Sequence, residues 1–363
     1  MPEDPARLHV VGVTGSGRLY HTMRTPGGWA PFVDVLGPGA ANQPQLQNTV
    51  TEVAAARAIN VLGTAGPSAM FSEALVVAVL ASTQPLPLFF YRYADANQWF
   101  PMGTAAGITG ARRIAAACSN RYPFGNSSIQ PSANLHLAWT GAGQLFVNNG
   151  SAVFPSGSGP VIDIENATGI TRGAFRVPAL AGINTGDQTF SRALLAGLTA
   201  DGRMYHSTIT SSGGAQVLND VEAAGAGQTG EFVDVALANP NVAGGPFYYA
   251  GVTGDGRIMA AAHNPDNSWT TWRNLEEADF VLIGPSGVRV TYRAIGEFGT
   301  FERVALATTT EGLHILGVTT NGMLFHQLQP GLSLQPVRGQ EFRDVETVGV
   351  GADVGEFVAI AAA

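Results

Sequence analysis

Hydrophobic residues along this chain come in short runs separated by glycine-centred turns, and one apolar-turn-apolar unit recurs six times. Runs of about four to eight residues that are rich in Val, Leu, Ile and aromatic residues and bounded by turn residues are typical of β-strands. Dipeptides such as Asp201-Gly202 and Asp255-Gly256 tolerate positive φ at both central positions of a turn, as a two-residue hairpin between antiparallel strands requires. The pattern predicts an all-β protein. The unit repeats about every 60 residues, and its turn glycines are Gly17, Gly143, Gly202, Gly256 and Gly322.

Each unit contains four predicted strands, which we name A to D in chain order. Strands B and C flank the turn, strand A is rich in small residues, and strand D ends in Asp or Asn. The predicted A strands are 50–56, 113–117, 175–180, 232–238, 301–307 and 356–363, and the predicted D strands are 32–35, 161–164, 218–221, 272–275 and 342–345. Four antiparallel strands per unit are typical of a β-propeller blade. We predict a single domain over residues 1–363, a six-bladed β-propeller.

The two ends of the chain complete each other in this scheme. The first unit lacks a strand A because the chain reaches strand B near Leu8, whereas the last strand A has no unit after it. We expect strand 356–363 to pair with the N-terminal strands 8–14 and 18–24, which closes the ring. Small residues in strand A suit the crowded wall of a central channel. One position of strand B is small in all units and predicts packing between blades; its residues are Gly12, Ala78, Ala138, Gly197, Gly251 and Gly317.

Two segments depart from the repeat. Unit two has Ser82 to Pro87 where the other units have a tight glycine turn. The longest connection, 276–299, contains two apolar runs near 280–292 that predict an added hairpin. Because insertions on a fixed scaffold often carry function, this segment is a candidate surface for binding another protein.

Composition and charge restrict the class of protein. Hydrophobic residues make up 45% of the chain and charged residues 13%, as expected for buried strands joined by polar turns. The net charge is −8 and no Lys/Arg cluster is present, which argues against nucleic acid or an anionic membrane surface as a partner. No apolar run reaches the length of about 20 residues that spans a bilayer, so we expect no membrane insertion.

Cysteine usage and the start of the sequence bear on the compartment. Cys118 is the single cysteine, which excludes an internal disulfide. Residues 1–5 have neither the basic flank nor the apolar stretch of a secretory signal. We expect a soluble protein that folds in the cytoplasm, and release by a non-classical route stays open.

Polar residues also recur at matched positions. His21, His206 and His326 each lie four residues after the turn glycine, on strand C and away from the channel. We therefore expect them to pack between blades or to sit in separate binding pockets, and we expect no shared metal site. The matched carboxylates at the end of strand D are predicted to accept turn N–H bonds. They are Asp34, Asp163, Asp220 and Asp344.

Catalytic motifs are missing from the sequence, whereas rim tryptophans are frequent. No nucleophile elbow, phosphate loop or zinc-protease motif occurs, so we predict a protein without catalytic residues, cofactor or metal. Aromatic rings at the rim of a scaffold can stack on the apolar face of a sugar, or they can simply cover the blade edge. Trp139, in strand B, is predicted to be core. The tryptophans in or just before strand D are Trp29, Trp99, Trp269 and Trp272.

Two segments carry a resemblance to a known family. Val252-Thr253-Gly254-Asp255-Gly256-Arg257-Ile258, followed by Trp269 and Trp272, and the segment from Leu198 to His206, resemble the repeats of lectin-like propellers related to Photorhabdus luminescens lectin and, more distantly, of tectonin-repeat proteins. The resemblance implies a propeller that binds saccharides in pockets between adjacent blades, without catalysis. This sequence departs from that family in its longer period and in its six units, where the family has seven shorter ones.

The leading hypothesis is a carbohydrate-binding propeller whose best pockets lie in units one and five. The candidate ligand-binding residues are Arg18, His21, Trp29, Trp99, His206, Arg257, His263, Trp269, Trp272 and His326. Two alternatives remain at this point. One is a protein-interaction scaffold that uses the 276–299 insertion, and the other is a hydrolase or lactonase with a metal in the channel. The A strands offer mainly Ala, Val and Leu to that channel, which argues against the metal enzyme.

Overall fold

Six antiparallel sheets form a ring around a central channel, and the fold is an all-β, six-bladed β-propeller. The computed structural model describes residues 7–38, 40–62, 70–93, 99–104, 108–121, 132–149, 161–183, 192–210, 214–227, 230–240, 245–283, 289–295, 298–330, 334, 342–348 and 354–363. The innermost strands of neighbouring blades contact each other all the way round, including across the junction of the two chain ends.

The strands follow the predicted A to D order in every blade. Blade 1 contains β1 (Leu8–Thr14), β2 (Leu19–Thr25), β3 (Gly28–Trp29) and β4 (Val33–Asp34). Blade 2 contains β5 (Val50–Leu62), β6 (Met70–Ala81), β7 (Gln84–Tyr93) and β8 (Phe100–Thr104). Blade 3 contains β9 (Arg113–Arg121), β10 (Ser132–Gly141), β11 (Gln144–Asn149) and β12 (Val161–Asp163).

The second half of the chain repeats this order. Blade 4 contains β13 (Phe175–Ile183), β14 (Arg192–Thr199), β15 (Met204–Ile209) and β16 (Asn219–Asp220). Blade 5 contains β17 (Phe232–Ala238), β18 (Phe247–Thr253), β19 (Ile258–His263) and β20 (Arg273–Asn274). After the added hairpin of β21 (Glu277–Ile283) and β22 (Arg289–Ile295), blade 6 contains β23 (Phe301–Thr309), β24 (Gly312–Thr319), β25 (Leu324–Pro330) and β26 (Arg343–Asp344).

The last strand, β27 (Phe357–Ala362), is the strand A of blade 1. It pairs antiparallel with β1, with Val11 opposite Ala361 and Gly12 opposite Ile360. β1 in turn pairs with β2, so both N-terminal strands belong to the sheet that the C-terminal strand completes. The predicted closure is confirmed.

Helical segments are short and lie outside the blades. They are a 3₁₀ turn at Pro44–Leu46, α1 at Ile164–Thr168, a π-helical turn at Glu222–Ala226 and α2 at Val345–Val348. The predicted added hairpin is present as the two-stranded sheet β21-β22, while its tip at 284–288 lies outside the described residues. Among the described residues, no helix combines the length and apolarity needed to cross a membrane.

The hydrophobic core is divided among the six blade junctions. Six separate clusters of buried residues occur, and each joins the facing sides of two neighbouring blades. At the junction of blades 1 and 2, for example, Val11 and Val13 belong to the same buried cluster as Val77 and Val79. Because strand side chains alternate between the two faces of a sheet, each blade contributes to the junctions on both of its sides.

The repeated turn glycine has a structural role at these junctions. Its carbonyl accepts a backbone N–H bond from the first residue of strand A in the next blade, as in Phe232 to Gly202 at 3.0 Å and Phe301 to Gly256 at 2.9 Å. Gly202 has φ +80° and a Cβ there would lie 2.6 Å from Cβ of Glu231. The turn therefore needs glycine both for its backbone conformation and for the close approach of the next blade.

A second glycine, in strand B, makes room for a phenylalanine of strand A. A Cβ on Gly251 would lie 2.5 Å from a ring carbon of Phe232, and Gly12, Gly197 and Gly317 face Phe357, Phe175 and Phe301 in the same way. The phenylalanine fills the space that the missing side chain leaves open. This close packing explains why the position is small in blades 1, 4, 5 and 6.

Blades 2 and 3 do not share this small position, so the sequence alignment there was wrong by one residue. In blade 3, Trp139 lies opposite Phe146, and Phe146 opposite Asp163, as Gly12, Tyr20 and Asp34 do in blade 1. The shift arises because the B–C hairpins of blades 2 and 3 have two-residue turns, closed by the pairs Ala81–Gln84 and Gly141–Gln144. The two-residue hairpins predicted at Asp201-Gly202 and Asp255-Gly256 were wrong, because three residues lie between Thr199 and Arg203 and between Thr253 and Arg257, and only the glycine has a positive φ. Unit two thus has a tight turn as well, at Ser82 and Thr83, and residues 84–87 already belong to β7.

Candidate ligand site at the blade junctions

The three matched histidines each contact a tryptophan of the following blade. The ring centroids of His21 and Trp99 are 5.3 Å apart, with an edge-to-face geometry. His206 and Trp269 are 5.4 Å apart, and His326 and Trp29 are 5.2 Å apart across the closing junction. These pairs define three histidine–tryptophan junctions, between blades 1 and 2, 4 and 5, and 6 and 1.

The predicted pocket of unit one is therefore divided in the structure. Arg18, His21 and Trp29 belong to one unit of sequence, yet His21 faces blade 2 and Trp29 lies beside His326 of blade 6. Trp29 pairs with Arg24, six residues along β2 from Arg18. At about 3.3 Å per residue this separation is roughly 20 Å. The matched residues meet their partners across blade junctions and do not meet within one repeat.

Two of these junctions contain hydrogen-bonded histidine pairs. Nδ1 of His9 and Nε2 of His21 lie 3.0 Å apart, and Nδ1 of His314 and Nε2 of His326 lie 2.9 Å apart. All four side chains are buried. Burial lowers the pKa of His9 and of His314 to about 3, with nearby arginines adding to the effect. It also places the pKa of His21 and His326 well below the ordinary value, so these imidazoles are neutral.

The junction of blades 4 and 5 has a different arrangement, which we call the 4/5 cluster: His206, Tyr249, His263 and Trp269. Nδ1 of His206 hydrogen-bonds the hydroxyl of Tyr249 at 2.8 Å. His263 stacks on Trp269 with ring centroids 4.5 Å apart. Burial lowers the pKa of His206 to about 4. His263 and Trp269 are partly exposed, so this cluster combines an aromatic face with one imidazole that solvent reaches, that of His263, beside the buried His206.

The three junctions differ in exposure. Trp99 is only 2% exposed and His21 only 3%, so the junction of blades 1 and 2 is closed to solvent. At the closing junction, His326 is buried while Trp29 is partly exposed. The 4/5 cluster is the one in which both a histidine and the tryptophan retain exposed surface.

Trp272 lies in the same junction as the 4/5 cluster but is buried. It packs against Phe232 with ring centroids 5.0 Å apart. Its indole N–H is buried and has no hydrogen-bond partner among the residues that the structure describes. An unsatisfied buried donor costs about 1–3 kcal/mol, so this group would gain from an acceptor on a bound ligand or water.

The two candidate arginines lie at the turn end of their blades, away from the tryptophans. Arg18 forms an ion pair with Asp34 at 2.5 Å and lies over the Tyr20 ring. Arg257 pairs with Asp255 at 3.1 Å, and both side chains are exposed. Neither arginine joins a histidine–tryptophan junction.

The matched aspartates have the structural role that the sequence predicted. Oδ1 of Asp34 accepts the N–H of Leu36, and Oδ1 of Asp163 accepts the N–H of Asn166. Asp220 and Asp344 accept bonds from Glu222 and Glu346 in the same way. The carboxylates terminate strand D by satisfying the first N–H groups of the turn that follows.

The channel contains a charged cluster that sequence reasoning missed. Arg113 of blade 3 contacts Glu52 of blade 2 at 2.8 Å and Asp234 of blade 5 at 2.6 Å. Asp234 also accepts the N–H of Val304, and Arg303 donates to the Val358 carbonyl. Burial raises the pKa of Asp234 to about 6 although Arg113 opposes the shift. These residues, from five of the six blades, form what we call the channel clamp.

The clamp bears on the channel-metal hypothesis. A cavity of about 90 Å³ in the channel is lined by Glu52, Arg113, Asp234 and Arg303, and a further one of similar volume lies among the A strands. The two carboxylates are already held by arginine. Across the residues that the structure describes, no three His, Cys, Asp or Glu side chains are grouped so that they could hold a metal ion.

Comparisons with known proteins find similarity at the level of structure. No protein-family model and no curated protein matches the sequence. The structure is similar to that of AofleA from Arthrobotrys oligospora, with a TM-score of 0.57 and 13% identity over 98% of this chain and 86% of that chain. It is similar to a variant of the Aleuria aurantia lectin in complex with Fucα1-6GlcNAc, with a TM-score of 0.53 and 11% identity over 93% of this chain and 90% of that chain.

A third similar structure is the SapL1 lectin in complex with α-methyl fucoside, with a TM-score of 0.50 and 11% identity over 92% of this chain and 94% of that chain. Another structure of the Aleuria aurantia lectin is described as a six-bladed β-propeller. At these identities the likeness concerns the fold, and it agrees with the six blades of this chain.

Proposed function

We propose that this chain is a non-catalytic, carbohydrate-binding propeller whose principal site is the 4/5 cluster. The observation that carries the proposal is the partly exposed Trp269, which is surrounded by His206, His263 and Tyr249. An indole face can stack on the apolar face of a pyranose. A neutral imidazole both donates and accepts hydrogen bonds, which suits sugar hydroxyls. The buried indole N–H of Trp272 is a further donor at this junction.

The closing junction is the second proposed site. Trp29 there is partly exposed and lies against His326, but the histidine itself is buried. The junction of blades 1 and 2 contributes least, because both His21 and Trp99 are buried. Two or more weak sites on one rigid ring would act together on a surface that carries many glycans, through effective concentration.

The ligand class is supported by the similar structures and by the chemistry of the cluster. Two of the similar lectins are described in complex with a fucoside or a fucose-containing disaccharide. The 4/5 cluster has no carboxylate pair arranged for acid and base roles, and the buried channel carboxylates are engaged by arginines. We therefore use α-methyl fucoside as the first probe of binding.

The test is a glycan array followed by calorimetry with α-methyl fucoside on protein shown to be folded. Trp269→Ala should weaken binding at least about tenfold, which corresponds to about 1.4 kcal/mol. Trp272→Phe keeps the packing and removes the indole N–H, and it should weaken binding less. Val161→Ala, at an exposed side chain in another blade, is the control and should leave affinity unchanged. Folded protein that binds no glycan would contradict the proposal.

A further inference from the structure

One face of Trp269 is covered by a neighbouring side chain of its own blade. The rings of His263 and Trp269 are nearly parallel, at 25°, with centroids 4.5 Å apart. The two residues form an isolated antiparallel bridge, so they are neighbours across strands C and D. The short turn between them is held by the N–H of Asn264 on the Ser268 carbonyl and by Ser268 bonds to Asp266.

The other sides of the Trp269 ring are also in contact. The ring centroid of Tyr249 lies 4.8 Å from that of Trp269, with the two rings tilted. The centroids of His206 and Trp269 are 5.4 Å apart, in an edge-to-face geometry. Tyr249 is fully buried and His206 is 8% exposed, so neither can leave without opening the junction. His263 is at the end of β19 and is partly exposed, so among the three rings around Trp269 it is the one that can turn out into solvent.

The equivalent position at the closing junction is used differently. Arg24 is the cross-strand neighbour of Trp29, as His263 is of Trp269. The Arg24 side chain is held in an ion pair with Glu311 of blade 6. A stacked imidazole is thus a feature of the 4/5 cluster and is not a requirement of the blade architecture.

We propose that His263 is a cover on the stacking face of Trp269, which must swing away before a saccharide can occupy that face. The inference rests on the proposed function and adds a regulatory residue to its site. A ligand that displaces the imidazole loses the stacking contact between the two rings, so part of its binding energy is used to expose the indole. His263 therefore lowers affinity and restricts the site to ligands that stack better than an imidazole does.

The experiment measures exposure of Trp269 and affinity separately. His263→Ala should increase the rate at which N-bromosuccinimide modifies Trp269 in the absence of sugar, with Trp269→Phe identifying that residue's share of the signal. The same variant should bind α-methyl fucoside about threefold or more tightly in calorimetry. His263→Phe keeps a flat ring over the indole, so the modification rate of Trp269 should stay at the wild-type value. Val161→Ala, at an exposed side chain in blade 3, is the control whose affinity should not change.

The outcomes distinguish the two proposals. Suppose that the wild-type protein binds glycans and that His263→Ala exposes Trp269 but binds with equal or lower affinity than the wild type. The proposal that His263 covers the site is then wrong, and the proposed function stands. An unchanged modification rate in His263→Ala would also overturn the cover. If neither the wild-type protein nor any variant binds a glycan although Trp269 has become reactive, the proposed function fails and the cover with it.

Discussion

The backbone N–H of Phe357 donates to the carbonyl of Gly322 at 2.9 Å. This bond joins the last strand of the chain to the turn of blade 6, and the same bond joins Phe175 to Gly143 at an ordinary junction. The C-terminal strand is therefore held as any other strand A. Closure of the ring uses the same contacts as the covalently continuous junctions, including the phenylalanine packed on a strand B glycine.

Phe357→Ala should destabilise the protein strongly. The ring is 1% exposed and packs where blade 1 meets blade 6, and truncation of a buried phenylalanine costs about 3–5 kcal/mol. Val358→Ala, at the partly exposed next residue, should cost about 1 kcal/mol or less. Urea denaturation followed by circular dichroism compares the two. Equal losses of unfolding free energy would show that Phe357 does not anchor the closing strand.

Gly251→Ala should lower the free energy of unfolding by about 1–3 kcal/mol, because the new methyl group would overlap the Phe232 ring. Gly254→Ala is the control, since its Cβ would meet nothing nearer than 3.7 Å, at the Glu231 carbonyl. That variant should differ from the wild-type protein by less than about 0.5 kcal/mol. Thermal unfolding of both variants decides whether the glycine–phenylalanine contact sets the spacing of strands A and B.

Arg113→Met should destabilise the ring by about 3–5 kcal/mol, since it removes the arginine that pairs with the buried carboxylates of Glu52 and Asp234 and leaves Asp234 with the more distant Arg303, at 3.9 Å. Arg257→Met removes an arginine whose ion pair is exposed, and it should cost no more than about 1 kcal/mol. Combining Arg113→Met with Glu52→Gln and Asp234→Asn should recover part of the loss. A single variant as stable as the Arg257 control would mean that the clamp contributes nothing.

Stability should fall as the pH falls below 6.5. The pKa of His9 and of His314 is about 3 in the folded protein and that of His206 about 4, so between these values and 6.5 the unfolded chain binds protons that the folded one does not. Above pH 6.5 each such histidine is neutral in both states and does not reduce the free energy of unfolding. Below pH 6.5 each one reduces it by up to about 1.4 kcal/mol per pH unit.

Urea denaturation at pH 7.0, 5.5 and 4.5 checks this dependence. Asp234 acts in the opposite sense, because its folded pKa of about 6 lets the folded protein take up a proton first. Comparison of the wild-type protein with His314→Gln isolates the contribution of His314. The free energy of unfolding of the variant should fall less steeply as the pH falls, by the slope that corresponds to one bound proton. Identical slopes would contradict burial as the cause of the lowered pKa.

Local sequence patterns predicted most of the fold. The period and the turn glycines predicted the blade number, because each repeat corresponds to one blade. The closure was predicted because the first unit lacks a strand A and the last strand A, 356–363, has no unit after it. The roles of Asp34 and Trp139 were also predicted from their positions in the strands. The strand B alignment was wrong in blades 2 and 3. Their two-residue turns are one residue shorter than those of the other blades, so counting back from the turn placed strand B one residue off.

The candidate site was predicted by residue type but not by grouping. His206 and Trp269 are in different repeats, and the sequence gives no sign that strand C of one blade faces strand D of the next. Tyr249 was missed for the same reason, because its hydroxyl partner is on another blade. Matching the units that carry a strand C histidine with those that follow them would have found all three histidine–tryptophan pairs.

The sequence by itself determined the strands, their order and the ring, because these depend on the alternation of side chains and on backbone conformations that single residues impose. Only the tertiary structure decided which side chains meet, because the blades join through their faces and contacts such as Arg113 with Asp234 cross the channel between residues far apart in the chain. Burial, and with it the neutrality of His21 and His326, also depends on the assembled junctions.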